Sequence, residues 1–305
     1  MPPLAPTVPA NVGRGIALMI CTIALFSTMD AIAKTLLQDY GTVQVVWARY
    51  AGQSAIVALI LAPRFLTLMR TRHPVAHGVR SIVQFCATLL FFSALAHIGL
   101  AEATAIMDVN PVLITLGAAL FLGERLGPRR LFGVLAAMVG AMLIIRPGTG
   151  VFAPAALLPL AAAVCYATYA LLTRMVGREE SVWTALIYTA LAGTVISTLA
   201  LPWFWQPIDA ADLPLFLLMG PVGATAQLFL IRAFTTTEAS VVAPFAYLGL
   251  IFAAGWGYVL FGEVPDGWTV AGGSIIVAAG LYVWHRETLA ARAARRAALP
   301  PAPPR

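Results

Sequence analysis

Charge is scarce in this chain of 305 residues: Asp, Glu, Lys and Arg together make up 10% of it, where a soluble domain carries about 25%. Lysine is almost missing, with Lys34 alone beside 18 arginines, and there are three cysteines and four histidines. With 60% hydrophobic residues, more than one core can hide, this poverty excludes a water-soluble globule, and it excludes disorder apart from the two ends. Cys21, Cys86 and Cys165 lie inside apolar runs, which excludes a disulfide scaffold. The arginines form no basic run, so the net charge of +6 does not point to nucleic acid. No metal-ligand spacing, Walker loop, nucleophile elbow or dinucleotide fingerprint occurs. An ATP-driven pump and a soluble-type enzyme therefore lack their parts, and no cofactor, metal or catalytic residue is expected.

What the chain has is apolar length. Its mean hydropathy is +0.87, and the partner of so much apolar surface is lipid. Runs such as Ala155 to Leu172 are apolar on every face, which excludes the alternating segments of a β-barrel. Crossing about 30 Å of hydrocarbon takes roughly 17 to 25 apolar residues. That length predicts an all-α polytopic membrane protein of ten transmembrane helices, near 15–36, 42–62, 80–98, 101–122, 130–146, 153–174, 181–201, 212–234, 238–261 and 267–285. The first has no small-residue cleavage site and reads as a retained helix rather than a signal peptide.

Short loops rich in Lys and Arg stay in the cytoplasm. With the N-terminus inside, sixteen of the basic residues fall on inner segments, Arg80 among them; Lys34 and Arg146 fall outside, and Arg49 lies within a span. Both termini are then cytoplasmic in a bacterial inner membrane. The Pro/Ala-rich ends, Met1 to Ala10 and Ala290 to Arg305, have no capacity to pack; the basic C-terminal tail is either a solvated tail or a brush against anionic lipid.

The stretch 101–140, AEATAIMDVNPVLITLGAALFLGERLGPRRLFGVLAAMVG, parallels 237–280, TEASVVAPFAYLGLIFAAGWGYVLFGEVPDGWTVAGGSIIVAAG. Each has Glu-Ala before an apolar helix, a proline within it (Pro111, Pro244), a Gly-Glu exit (Gly123-Glu124, Gly262-Glu263) and two glycines seven apart (Gly133/Gly140, Gly273/Gly280). The domains expected are a tail 1–14, a five-helix repeat 15–146, a second repeat 153–285 and a basic tail 286–305. Five is odd, so the second repeat is inverted, the pattern of a secondary transporter. GERLGPRR carries three arginines where its counterpart GEVPDGW carries none, in agreement with inversion.

These repeats, the Gly-Glu exits and the run SVVAPFAYLGLIFAAGWGYVLFGEVPD resemble the EamA-type branch of the drug/metabolite transporter superfamily, over nearly the whole chain. The resemblance implies a central cavity lined by both halves, alternating access and no ATP. Members export amino acids and related metabolites or import S-adenosylmethionine and riboflavin. The opening RGIALM…FSTMDAIAKTL is more similar to the importer-containing subgroup.

Ionisable groups inside spans cost about 2.5 to 3.5 kcal/mol each on insertion scales, so the few present mark candidate sites. Asp30 and Lys34 lie four apart on one helix face. Asp30, Arg49 and Asp108 each sit six or seven residues below the outer surface, roughly 9 to 11 Å deep. One reading pairs Asp30 with Lys34 or Arg49 as interhelical glue. The other makes Asp30, Arg49 and Asp108 a substrate or proton site, with Asp30 held ionised by Lys34 and Asp108 the better proton carrier. Lys34 could equally snorkel to the surface. Asn110, before the helix-breaking Pro111, and Tyr247, after Pro244, are candidates at backbone breaks. Tyr166, Gln227, Gln53, Gln84, Tyr169 and Tyr188 either add neutral donors near midplane or bond between helices. Trp47, Trp203 and Trp205 read as interfacial anchors, the paired glycines as close helix contacts or a dimer face, and Glu124 and Glu263 as solvated or capping groups.

The composite is a proton-linked or facilitative carrier of a small zwitterionic or polar aromatic metabolite, monomeric or homodimeric. The alternatives are a channel-like facilitator, which would need polar residues along a full pathway, and an intramembrane enzyme, for which only the two aspartates qualify. The charge asymmetry predicts that a reporter active only in the periplasm is silent when fused after Arg305 and active when inserted between Gln206 and Asp212. A bright C-terminal periplasmic signal overturns this topology.

Overall fold

A computed structural model describes residues 12–71, 73–122, 128–145, 154–176, 181–236 and 243–297. Among them there is no strand. The helices are α1 (Val12–Leu36), α2 (Thr42–Leu61), α3 (Phe65–Leu68), α4 (Pro74–Leu95), α5 (Leu100–Met107), α6 (Asn110–Leu122), α7 (Pro128–Ile145), α8 (Leu157–Val176), α9 (Val182–Ala200), α10 (Leu213–Thr236), α11 (Leu248–Phe261) and α12 (Gly267–Ala297), with a 3-10 turn at Ala243–Tyr247 leading into α11. Among the described residues, six helical segments are long and apolar enough to cross a membrane, from Gly13–Leu36 to Leu213–Leu230, and there are shorter apolar helices besides. Leu59, Leu199 and Val259 are each about 70% exposed, among many large apolar side chains on the surface, as contact with lipid would leave them.

Local chemistry sets the boundaries. Pro74 opens α4, where its missing N–H costs nothing. The Ser181 hydroxyl accepts from Trp183 N–H at the start of α9 (3.2 Å). Gly262, at φ 65°, stops α11 in the left-handed conformation that glycine adopts without strain. Thr22, Thr28, Thr35 and Thr104 bond back to the carbonyl four residues earlier, so their hydroxyls are satisfied without water.

Four boundaries differ from expectation. α4 begins six residues before Arg80, so that arginine lies within the helix, 2% exposed, and not in an inner loop. The expected span 101–122 is two helices: Asp108 and Val109 interrupt it, and Val112 N–H turns back to Val109 (3.0 Å) because Pro111 offers no donor to the preceding turn. The expected span 238–261 is helical only from Leu248, after the 3-10 turn that holds Pro244; 238–242 lie outside the described residues. α12 runs on to Ala297, where no packing was expected. Glu124, Arg125 and Arg146 lie outside the described residues.

α1 packs on α10 and α11, and α4 on α8 and α9. α2 lies between α9 and α10, α5 touches α8 and α11, α6 touches α8, and α7 pairs with α12. The last pair meets on glycine: a Cβ on Gly272 would lie 2.5 Å from the Gly140 carbonyl oxygen, and one on Gly140 would lie 2.7 Å from that of Gly272. Gly273 faces Leu250 and Ala105, and Gly280 lies under the Tyr247 hydroxyl, so these glycines serve contacts within the chain. Gly272→Ala should therefore cost about 1 to 3 kcal/mol through overpacking. Gly255→Ala, where a Cβ meets nothing within 4 Å, should be neutral or gain up to about 1 kcal/mol of helix propensity. Heat unfolding of the two variants in detergent compares them.

Candidate functional site

Four polar groupings interrupt the apolar interior. At one end, the Lys34 ammonium meets the Glu263 carboxylate at 2.8 Å. It also donates to the carbonyls of Leu95 (3.2 Å) and Ile98 (2.5 Å) at the close of α4, and lies 5.4 Å from the Phe261 ring centroid. The second Glu263 oxygen accepts from Leu100 N–H (2.8 Å), one of the orphan donors that open α5. α1, α4, α5 and the α11–α12 turn are thus tied at a single point, beside a cavity of about 370 Å³ lined by Gln38, His97 and Phe261. Lys34 pairs with Glu263 and not with Asp30. Helical spacing alone favours Asp30, but Glu263 brings its charge and a helix cap together.

The second grouping surrounds Arg49 on α2. Its Nη1 donates to Thr88 Oγ1 on α4 (3.2 Å), and the guanidinium carbon lies 5.4 Å from the Tyr50 ring and 5.5 Å from that of Phe92. Arg49 Nε is buried with no hydrogen-bond partner. Asp30 on α1, half-buried, lies within electrostatic range of this guanidinium. The Thr88 hydroxyl bonds to the Gln84 carbonyl (3.2 Å) and to the Tyr50 hydroxyl (2.8 Å), while Gln84 Oε1 is buried and unpartnered. Cation–aromatic contact, an unpartnered guanidinium N–H and a nearby acid make this a mixed-sign grouping inside the bundle.

The third grouping is separate. Asp108 stands at the α5–α6 interruption with Oδ2 buried and unpartnered, and Asn110, two residues on, has its Oδ1 in the same condition. Asp108 lies within electrostatic range of the Tyr247 hydroxyl, at the 3-10 turn of the second half. Depth along the helices placed Asp108 in one layer with Asp30 and Arg49. The structure sets Asp30 within electrostatic range of Arg49, and Asp108 within that of Tyr247, because depth carries no information about which way a side chain points around its helix.

The fourth grouping was not foreseen. Arg80 is among the largest fully buried side chains, and the distance along α4 from Arg80 to Leu95 puts it about 22 Å from the Lys34 end. Its Nη2 donates to the Ala185 carbonyl (2.5 Å) and to Thr189 Oγ1 (3.0 Å), and its Nη1 to Thr173 Oγ1 (3.2 Å). The guanidinium lies over the Tyr169 ring at 5.2 Å. Tyr166 meets Tyr169 at 5.8 Å between centroids. Gln227 is half-buried on α10 and Gln53 is buried on α2. Tyr188 donates to the Met69 carbonyl (3.0 Å), Trp47 to Thr198 (3.0 Å), and Trp203 is 79% exposed, as an interfacial residue would be.

Breaking a buried ion pair on one side costs more than removing both partners, because the survivor keeps an uncompensated charge. Glu263→Met should lower stability by about 2 to 3 kcal/mol, toward the small end since 27% of the Glu263 side chain is exposed. Lys34→Met with Glu263→Met should lower it by less than Glu263→Met alone. Heat unfolding of both variants in detergent makes the comparison.

The EamA-like transporter family model matches the chain twice, over residues 13–146 and 153–284. A pseudopaline exporter of Pseudomonas aeruginosa, CntI, is 31% identical over 271 residues, covering 87% of this chain and 94% of that protein. A riboflavin transporter of Rhizobium johnstonii is 34% identical over 227 residues, covering 73% of this chain and 74% of that one. A solved crystal structure superposes with a TM-score of 0.63 at 22% identity, over 89% of this chain and 96% of that one, a likeness of fold. Within a membrane-spanning helical bundle whose charged groups face its interior, these matches leave one conclusion: the chain belongs to the EamA-like transporter family.

Proposed function

We propose that the chain carries a small zwitterionic or polar aromatic metabolite across the bacterial inner membrane by alternating access. An amino-acid-like compound, S-adenosylmethionine and a vitamin are the candidate cargoes. Two inverted five-helix repeats, 15–146 and 153–285, would rock about a site that lies between them. Counting α5 with α6 as one span, and the 3-10 turn with α11 as another, gives ten. The packing pattern supports the repeat: exchanging the halves turns α1 on α10 into α8 on α4, α2 on α10 into α9 on α4, and α1 on α11 into α8 on the α5–α6 span. α2 on α9, and α7 on α12, map onto themselves. The charge asymmetry, fifteen basic residues to two once Arg80 is counted within α4, supports cytoplasmic termini and puts Lys34 and Glu263 on the outer side.

The observation that carries the substrate reading is Arg49: a guanidinium inside the bundle, flanked by two aromatic rings, with a buried N–H free and Asp30 near it. It would take a substrate carboxylate, with Asp30 toward an amino group and Tyr166, Gln227, Asn110 and Tyr247 supplying neutral contacts. Asp108, whose buried oxygen has no partner, is the candidate proton carrier, and Asp30, with Arg49 beside it, the second.

A growth screen of a deletion strain on metabolites and toxic analogues selects the compound, and uptake into proteoliposomes tests the site. Arg49→Ala should abolish uptake, and Arg49→Lys should restore it in part, since the planar donor fork is lost. Asp108→Asn should retain counterflow exchange and lose accumulation driven by a pH gradient. Wild-type uptake in Arg49→Ala liposomes removes this grouping from the mechanism. Wild-type flux that ignores an imposed pH gradient replaces coupled transport with the facilitator reading.

A further inference from the structure

Arg80 carries a full charge, 2% exposed, inside a lipid-embedded bundle, and each of its hydrogen-bond acceptors is neutral. No carboxylate pairs with it among the described residues. A buried cation of this kind costs several kcal/mol unless something compensates it. Its acceptors share a further property: Thr173 belongs to α8, and Ala185 and Thr189 to α9, all beyond residue 153, whereas Arg80 belongs to α4. The two threonines are also satisfied without Arg80, because Thr173 donates to the Tyr169 carbonyl (2.7 Å) and Thr189 to that of Ala185 (2.9 Å). Separating α4 from α8 and α9 thus leaves two self-sufficient hydroxyls on one wall. On the other wall it leaves a bare guanidinium with a buried, unpartnered Nε.

Arg80 also begins a stripe. Arg80, Gln84 and Thr88 follow one another at i, i+4 and i+8 on α4, a rise of about 12 Å, and Thr88 is the residue that receives Arg49. The stripe therefore runs from one guanidinium to the other. Each guanidinium has a tyrosine ring beside it, Tyr50 or Tyr169, and Gln84 Oε1 lies unpartnered between them.

We infer that Arg80 is a second substrate-binding residue, and that the substrate bears an oxyanion, carboxylate or phosphate, held by Arg49 when the site faces the Lys34 end and by Arg80 when it faces the opposite end. This rests on the transport reading above and adds a second anchoring residue and a sidedness to it. The guanidinium fork matches an oxyanion in two parallel hydrogen bonds, and neither hydroxyls nor a carbonyl can neutralise it.

The test gives wild-type proteoliposomes a bacterial small-molecule extract, and mass spectrometry identifies the compounds that enter beyond the level of empty liposomes. The expected compounds carry a carboxylate or a phosphate, and the spectra say which. Half-saturation is then measured from each face of the membrane in oriented liposomes. Arg80→Gln should raise it about tenfold or more at the Arg80 face and leave the Lys34 face within about threefold, as the loss of a charged hydrogen bond predicts. Arg80→Lys, which keeps the charge and is the variant to use if Arg80→Gln does not fold, should raise it by a smaller factor at the same face. A purely architectural arginine would change both faces alike, and that result overturns the inference, as do transported compounds without an oxyanion. Entry of no compound into wild-type liposomes overturns the transport reading itself, and this inference with it.

Discussion

The Lys34 ammonium is held by one carboxylate from the α11–α12 turn and two carbonyls from the close of α4, and the carboxylate in turn closes the open N-terminus of α5. Lys34 is buried, so its charge and the neighbouring backbone groups must be satisfied by the same few atoms. That constraint organises the rest of the bundle. Arg49 leans on Thr88 and Phe92, and Arg80 on Thr173, Thr189 and Ala185, and in each case these partners come from another helix. Charged residues in this chain are therefore also the joints between helices, and their number is small because each needs such a set of partners.

The apolar contacts follow a different logic. Against lipid, apolar burial gives helices little reason to associate, so close approach decides the packing. Gly140 against Gly272, and Gly52 against Gly220, bring backbones together where a single methyl would not fit. The polar joints fix which helices meet, and the glycines fix how near they come.

Sequence made the class and the family resemblance legible because lipid imposes a length and a composition that few other constraints imitate. It also put Asp30 and Arg49 at one depth, since rise per residue is a constant of the helix. It did not reveal direction around the axis, which is why Asp108 stands with Tyr247 and apart from Arg49. It gave no sign of the Lys34–Glu263 pair, whose partners are far apart in the chain while Asp30 waits four residues away. Arg80 was lost for a related reason: counting arginines near a span end assigns them to the cytoplasm, and only the start of α4 at Pro74 brings this one inside. The proline at the first helical position and the polar stripe Arg80, Gln84, Thr88 were the signals that could have found it.

α7 and α12 meet where each glycine's backbone fills the space that the other's Cβ would need, Gly140 against Gly272. Turning either helix about its own axis would swing a side chain into that gap, against backbone that cannot yield. The two helices are therefore locked in rotation, and any rearrangement of the bundle has to carry them together as one rod.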